Sequence, residues 1–225
     1  MNKKIVELTE DEIQKCKEFS EQCTQNQQKI KFNGRWISKW KIAEITRDNM
    51  IGKIAEVAFS KMMEQYGISL DLDFNINPDC MWSEKDITIN NWRIDVNGSR
   101  EGAKWFLMDW NKLVSNQNDN NLPHAYVMFT VGWDKKMDRP TRLVTFEGVA
   151  SLSKLRPECE KTMVLRKGDF LPGTNTELRT DNFGIRFNDL LKDVDVFVDY
   201  ITKNTPPKGL VENFKNPYQN VNRRK

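Results

Sequence analysis

Three acidic residues, Glu56, Asp86 and Asp95, have types and a spacing in this 225-residue chain that could do chemistry. Hard cations such as Mg²⁺ prefer oxygen ligands, commonly one or two carboxylates together with substrate phosphate. A cation held in this way polarises a phosphate and acidifies a bound water, as hydrolysis of a phosphodiester at neutral pH requires. If the three carboxylates converge on one rigid point, they can hold such an ion.

A predicted β-hairpin positions two of these acids. The stretch from Asp86 to Val96 has the pattern of two strands joined by a two-residue turn at Asn90-Asn91. This turn sets the strand register, so Asp86 and Asp95 are expected to lie near each other. Side chains alternate between the two faces of a strand, which puts Asp95 and Asn97 on one face. The intervening apolar residues then face the core beneath a helix.

Glu56 lies in the clearest predicted helix, residues 46–66. Apolar side chains recur there at the i, i+3, i+4 spacing of a buried helix face. They are Ile51, Ile54, Ala55, Ala58, Phe59, Met62, Met63 and Tyr66. Gly67 ends the helix, and Gly52 lies one turn before Glu56. Because Glu56 lies beside the apolar stripe, it can supply a third acid from the edge of this helix.

Other predicted elements flank this region. A first helix is predicted over 8–28, with Thr9 and Glu12 as a capping box. The segment 29–45 alternates bases with aromatics and is predicted to form a hairpin that turns at Asn33-Gly34. It has the composition of a surface that follows a nucleic-acid backbone, or of aromatics buried under a basic edge. Further strands are predicted at 104–110, 125–133 and 142–150, loops at 111–123 and 167–181, and helices at 151–156 and 188–202.

Composition excludes several classes of protein. No stretch approaches the roughly 18 apolar residues of a membrane span, and the first residues lack the apolar region of a signal peptide. We therefore expect a soluble cytoplasmic protein with no membrane contact. The four scattered cysteines and the single histidine, His124, form no usual zinc cluster. His124 is expected to be a polar residue at a strand edge. The net charge of +3 suits a nucleic-acid partner only if basic residues segregate onto one surface.

The order of these motifs resembles the PD-(D/E)xK nuclease superfamily, to which most type II restriction endonucleases belong. The matching residues are Gly52-Lys-Ile-Ala-Glu56, and then the stretch from Asp86 to Asp95, Asn97 and Arg100. The resemblance covers roughly residues 51–133. A second Asp, Asp79 after Pro78, also spells the first two letters of the motif, but it lies farther from Asp95 in a Pro/Asn-rich loop.

The resemblance implies a fold, an activity and an ion. The fold would be α/β with a restriction-endonuclease-like core, in which a central mixed β-sheet is flanked by helices. Asp86 and Asp95 would bind Mg²⁺ or Mn²⁺, and Glu56 would assist or hold a second ion. The enzyme would hydrolyse DNA in the cytoplasm of a bacterium or phage-infected cell, often as a homodimer, with no small-molecule cofactor.

One position departs from the family pattern, because Asn97 stands where the family has its lysine. Asparagine can orient a water by hydrogen bonding but carries no charge to stabilise an attacking hydroxide. Three interpretations stay open. A neighbouring base replaces the lysine, either Lys104 on the next strand or Lys53 on the helix. The site works more slowly with Asn. Or the protein is an inactive relative that binds DNA or inhibits another protein.

Three segments are predicted along the chain. Residues 1–45 hold the first helix and the basic/aromatic segment, residues 46–205 hold the nuclease-like core with its C-terminal elaboration, and residues 206–225 form a polar basic tail. The region 135–189 follows the part that resembles the family, so it is the predicted source of target or dimer contacts. Its candidate contacts to phosphates or guanine edges are Arg139, Arg142, Arg166, Lys167, Arg179 and Arg186.

Overall fold

The computed structural model describes residues 4–31, 38–76, 87–110, 113, 122–155 and 159–208, with the backbone alone at 29–31 and 40. The helices whose bounds lie in these ranges are α1 (Glu10–Lys31), α2 (Lys39–Glu64) and α3 (Val194–Lys203), and Trp110 and Leu113 are also helical. The strands are β1 (Ile5–Glu7), β2 (Ile87–Ile89), β3 (Trp92–Arg100), β4 (Trp105–Asp109), β5 (Ala125–Asp134), β6 (Arg139–Ser151), β7 (Thr162–Leu165) and β8 (Asn182–Arg186). Short 3₁₀ turns follow β6 at Leu152–Lys154 and β8 at Phe187–Asp189.

The strands form two sheets. One has the strand order β1-β6-β5-β3-β2, and the other is antiparallel with the order β4-β8-β7. In the larger sheet β1 runs antiparallel to β6, whereas β3 and β5 run parallel. The N–H of His124 donates to the carbonyl of Arg93, and the N–H of Glu101 donates to the carbonyl of Val131. Residue numbers therefore increase in the same direction along both strands. The predicted α/β class with a mixed sheet is confirmed.

Contacts divide the chain into two compact units. The first unit comprises residues 1–87, 96–103 and 128–147, and the second comprises 88–95, 104–127 and 148–225. In the first unit Phe59 of α2 packs edge-on against Phe129 of β5, with ring centroids 6.5 Å apart. In the second unit Phe106 of β4 contacts Tyr126 of β5 at 5.7 Å. The predicted segment boundaries at residues 45 and 205 stay a prediction.

The capping box at the start of α1 is confirmed. The N–H of Thr9 donates to Glu12 Oε2 at 2.6 Å, and the N–H of Glu12 donates to Thr9 Oγ1 at 3.1 Å. These reciprocal bonds satisfy two N–H groups that a helix start leaves without an intrahelical partner. Lys61 of α2 adds an ion pair to Glu12 at 2.9 Å, which joins the beginning of α1 to α2.

The hairpin predicted over 29–45 is wrong. α1 continues to Lys31 and α2 already begins at Lys39, while the predicted turn at Asn33-Gly34 lies outside the described residues. Ser38 explains the early start, because its hydroxyl accepts the N–H of Lys41 at 3.3 Å and so caps the helix. The alternation of bases and aromatics had suggested a strand, but helix capping and packing determine the local structure.

Elements in the second unit differ from the sequence predictions in their bounds. Strands β7 and β8 were not predicted, and the last helix begins at Val194 instead of residue 188. Its N-cap is Asp193, whose carboxylate accepts the N–H of Val196 at 3.1 Å. Five residues of the predicted helix, 188–192, therefore lie before the cap, partly in the 3₁₀ turn Phe187–Asp189.

Candidate active-site residues

The predicted hairpin that carries Asp95 is confirmed. Strands β2 and β3 are joined by Asn90 and Asn91, whose φ angles are 46° and 65°. Two consecutive residues with positive φ define a type I′ turn, which matches the right-handed twist of the flanking strands. Asn tolerates this left-handed region better than most residues. Asp86, which directly precedes β2 in the sequence, lies outside the described residues, and so does Asp79.

Asp95 and Asn97 lie two positions apart on β3, and both are partly exposed. The next residue, Gly98, shows which face of this strand meets α2 in the first unit. A Cβ atom added to Gly98 would lie 2.6 Å from the carbonyl oxygen of Ile51 and 3.1 Å from Cβ of Ala55. The face that carries Gly98 therefore packs directly on α2, and side-chain alternation directs Asn97 to the opposite face.

Glu56 forms an ion pair in the first unit. Its Oε2 lies 2.6 Å from Nζ of Lys53, and the same ammonium donates to the carbonyl of Asp73 at 2.8 Å. Lys53 is only 4% exposed, and its ammonium lies 4.3 Å from the ring of Phe19 and 5.1 Å from the ring of Phe74. Buried charges need such compensation by paired carboxylates, carbonyls and aromatic faces. Lys53 thus holds the Glu56 carboxylate in one place.

Cys16 lies in the same region of the first unit and is fully buried. Burial raises the pKa of its thiol to about 12, and the nearby Glu56 and Glu12 charges add to this effect, while Lys53 opposes it. Since the thiolate is the reactive form of cysteine, Cys16 is an inert core residue. Cys23 and Cys159 are also free thiols, and Cys80 lies outside the described residues.

Lys104 and His124 lie in the second unit. Lys104 is exposed just before β4, and its carbonyl accepts the N–H of Phe187 at 2.9 Å. Nδ1 of His124 accepts the N–H of Arg93 at 3.0 Å, and its ring lies edge-on to Trp92 at 5.8 Å. This bonding gives His124 the predicted position at a strand edge. The catalytic role of Lys104 stays a prediction.

The sequence predictions did not include one buried carboxylate, Glu147 on β6. It is 3% exposed, and the hydroxyl of Thr130 on the neighbouring β5 donates to its Oε1 at 2.9 Å. Both residues belong to the first unit. A single acid inside the apolar stretch Val144–Ala150 was the signal that could have identified it, because a buried carboxylate requires a partner.

The arginines of the predicted contact region differ in the contacts that their guanidinium groups make within the protein. Arg142 pairs with Glu7 and donates to the carbonyl of Leu8 at 2.9 Å. Arg166 pairs with Asp181 at 3.4 Å and lies over the ring of Trp110. These guanidinium groups are therefore committed to internal contacts.

Arg186 in the same region lies over the ring of Trp105 at 5.1 Å. Arg139, by contrast, is exposed at the start of β6.

No described stretch of the chain brings three or more His, Cys, Asp or Glu side chains together as metal ligands; Asp86 is not part of these stretches. None of the described helices is long and apolar enough to cross a membrane. The chain matches no model of a known protein family, no curated protein and no solved structure.

Proposed function

We propose that this chain is a metal-dependent endonuclease that hydrolyses DNA phosphodiester bonds in the cytoplasm, with Mg²⁺ or Mn²⁺ held by Asp86 and Asp95. The observation that carries the proposal is the two-residue turn at Asn90-Asn91. Such a turn pairs Ile89 with Trp92, and counting outward by three residues pairs position 86 with position 95. Because Asp86 lies outside the described residues, this last pair is a prediction from the register.

Two carboxylates directly opposite each other on neighbouring strands repel and destabilise the hairpin. A divalent cation with oxygen ligands removes this cost, and Mg²⁺ is commonly held by one or two carboxylates plus phosphate. The donor set therefore fits the ion. When bound, the ion would supply Lewis acidity towards a phosphate and a more acidic water.

The protein's own residues would supply orientation. The Asn97 amide shares a strand face with Asp95 and can both donate and accept a hydrogen bond, so it can hold a water in one orientation. Lys53 is engaged with Glu56, so its role in the proposal is to fix that carboxylate. Lys104 is then the remaining base proposed to offset negative charge in place of the family lysine.

The test is cleavage of supercoiled plasmid in Mg²⁺ or Mn²⁺, with EDTA as the metal-free reference. We expect Asp95→Asn and Asp86→Asn each to abolish cleavage, and Asn97→Lys to preserve or raise it. Glu160→Gln, a change of the same charge at an exposed site, should cut at the parent rate. The proposal fails if the parent cuts no nucleic acid in either metal, or if Asp95→Asn cuts as fast as the parent.

A second candidate is a catalytically inactive protein of this fold that binds DNA or inhibits another protein, and Asn97 is the residue that favours it. The two candidates differ in one pattern of results. An inactive binder would bind DNA in EDTA, and neither Mg²⁺ nor Mn²⁺ would raise its melting temperature or cause cleavage. A proposed homodimer is tested separately by sedimentation.

A further inference from the structure

The turn between β5 and β6 concentrates basic residues in the first unit. We define the β5–β6 tip as residues Lys135–Arg139, which are the turn between the two longest strands of the described chain and the first residue of β6. All five side chains are exposed, and Met137 at the centre is 59% exposed although it is apolar. An exposed methionine among three basic side chains is a combination that packing of the turn itself does not explain.

The acidic residues of the tip region accept hydrogen bonds that fix the conformation of the turn. Asp134 Oδ1 accepts the N–H groups of Lys136 and Met137, at 2.9 and 3.1 Å. Asp138 accepts the indole N–H of Trp133 at 3.0 Å and pairs with Arg47 at 3.2 Å. These bonds fix the turn, in which Asp138 has a φ of 47°, so the tip is preorganised.

Basic residues of the tip are used differently. Within the described ranges, Lys135, Lys136 and Arg139 form no ion pair, and all three ammonium or guanidinium groups project from an exposed turn. Arg100 lies beside this basic surface, since its guanidinium is 5.8 Å from the ring of Trp133, although its positive charge also acts on the carboxylate of Asp48. Arg142, farther along β6, is instead tied to Glu7.

We propose that the β5–β6 tip is a docking surface for duplex DNA, on which Lys135, Lys136 and Arg139 contact backbone phosphates. β1 pairs with β6 at Leu143–Thr145, so the turn end of the β5–β6 hairpin extends past β1. A two-stranded β-ribbon fits the major groove of B-DNA, and Lys and Arg are the usual partners of phosphate oxygens. Met137 then packs against the apolar edges of the groove, which accounts for its exposure in the free protein. A fixed turn binds with less loss of conformational freedom than a mobile one. This proposal goes beyond cleavage, because it concerns binding and requires no metal.

The test measures binding of a fluorescent duplex by anisotropy in EDTA, as a function of salt concentration. The tip variant is Lys135→Ala/Lys136→Ala/Arg139→Ala. Each phosphate contact contributes about 0.9 to the slope of log K against log salt, so three contacts contribute about 2.7. Between 0.05 and 0.2 M salt, the affinity of the parent should therefore fall roughly 40-fold more than that of the variant. The control Lys15→Ala/Lys17→Ala/Lys208→Ala removes the same charge from exposed sites elsewhere and should keep a slope near that of the parent.

A second variant keeps the test independent of charge. Met137→Ser should weaken duplex binding several-fold while leaving the salt slope unchanged, since it removes an apolar contact and no phosphate contact. The proposal is overturned if the tip and control variants have the same slope, or if the parent binds no duplex at low salt. Tighter binding of a single strand than of the duplex would also overturn it. If the tip variant has lost its far-UV circular dichroism signal and is therefore unfolded, the effect of Met137→Ser on duplex binding decides whether the proposal stands.

Discussion

Gly98 is the residue at which strand β3 touches helix α2, and replacing it with alanine should destabilise the first unit. An added Cβ would lie 2.6 Å from the carbonyl oxygen of Ile51, 2.8 Å from its Cγ2 and 3.1 Å from Cβ of Ala55. The nearest of these atoms belongs to the backbone of α2, so a side-chain rotation cannot remove the contact. The helix or the strand must move.

The size of the effect follows from these distances. Ordinary van der Waals contact begins near 3.4 Å, so the Ile51 carbonyl must recede by 0.8 Å, the difference between 3.4 and 2.6 Å. Overpacking of this kind costs about 1–3 kcal/mol. Replacing Gly by Ala also reduces the entropy of the unfolded chain, which offsets about 0.5 kcal/mol. We expect Gly98→Ala to lower the free energy of unfolding by about 1–2 kcal/mol.

Urea denaturation followed by far-UV circular dichroism measures this change, with an unchanged m-value as the sign that only stability has changed. Ser99→Ala, the next residue of the same strand, is the matched control and should alter stability by less than about 0.5 kcal/mol. Because the nearest atom is a backbone oxygen, adding Ile51→Ala should not rescue Gly98→Ala. A Gly98→Ala protein as stable as the parent, or a full rescue by Ile51→Ala, would refute the inferred contact.

Two further predictions concern local hydrogen bonds. Burial alone would raise the pKa of Glu12, but hydrogen bonds from Lys61 and Thr9 outweigh it and lower the pKa below its ordinary value of 4.5. The charged form of Glu12 therefore stabilises the fold above pH 4.5. Glu12→Gln should lower the free energy of unfolding by about 1 kcal/mol at pH 7 and should leave it unchanged once the pH falls well below 4.5. Urea denaturation at several pH values measures this difference. The side-chain amide of Asn90 donates to the carbonyls of Ile201, Thr202 and Asn204 at the end of α3, so Asn90→Gly should lower the thermal midpoint of unfolding. Asn91→Gly is the control and should not lower it, since glycine suits the turn itself. Equal losses in the two variants would contradict this assignment.

Local chemistry explains which elements could be predicted from the sequence. The capping box at Thr9 and the turn at Asn90-Asn91 each depend on a few neighbouring residues, so their sequence patterns specify them. The start of α2 was predicted seven residues late because the alternation in the 29–45 segment resembles a strand. Strands β7 and β8 are stabilised by pairing with distant parts of the chain, which a local pattern does not reveal.

Some contacts of the candidate site could likewise be predicted from the sequence, and others could not. The sequence places Lys53 and Glu56 three positions apart on a helix, a spacing at which side chains meet, so their ion pair was predictable. The burial of Lys53 between the rings of Phe19 and Phe74 was not, because it depends on how α1 and the 68–76 segment pack around α2. Gly98 was missed for the same reason, since a close approach of helix and strand leaves no trace in strand periodicity.

The active nuclease and the inactive binding protein differ in the charge that each has available for the chemical step. Lys53 already balances Glu56, which leaves Asp86 and Asp95 as the two negative charges predicted to face an ion, enough for one divalent cation. Replacing the family lysine with Asn97 removes no ligand oxygen, so the proposed metal binding does not depend on that lysine. The chemical step then depends on Lys104, because a neutral amide at position 97 cannot offset the charge of an attacking hydroxide. If Lys104 does not supply that charge, the protein should retain metal binding and lose turnover. A metal-induced rise in melting temperature without cleavage would therefore identify position 97 as the defect, and Asn97→Lys as the change that corrects it.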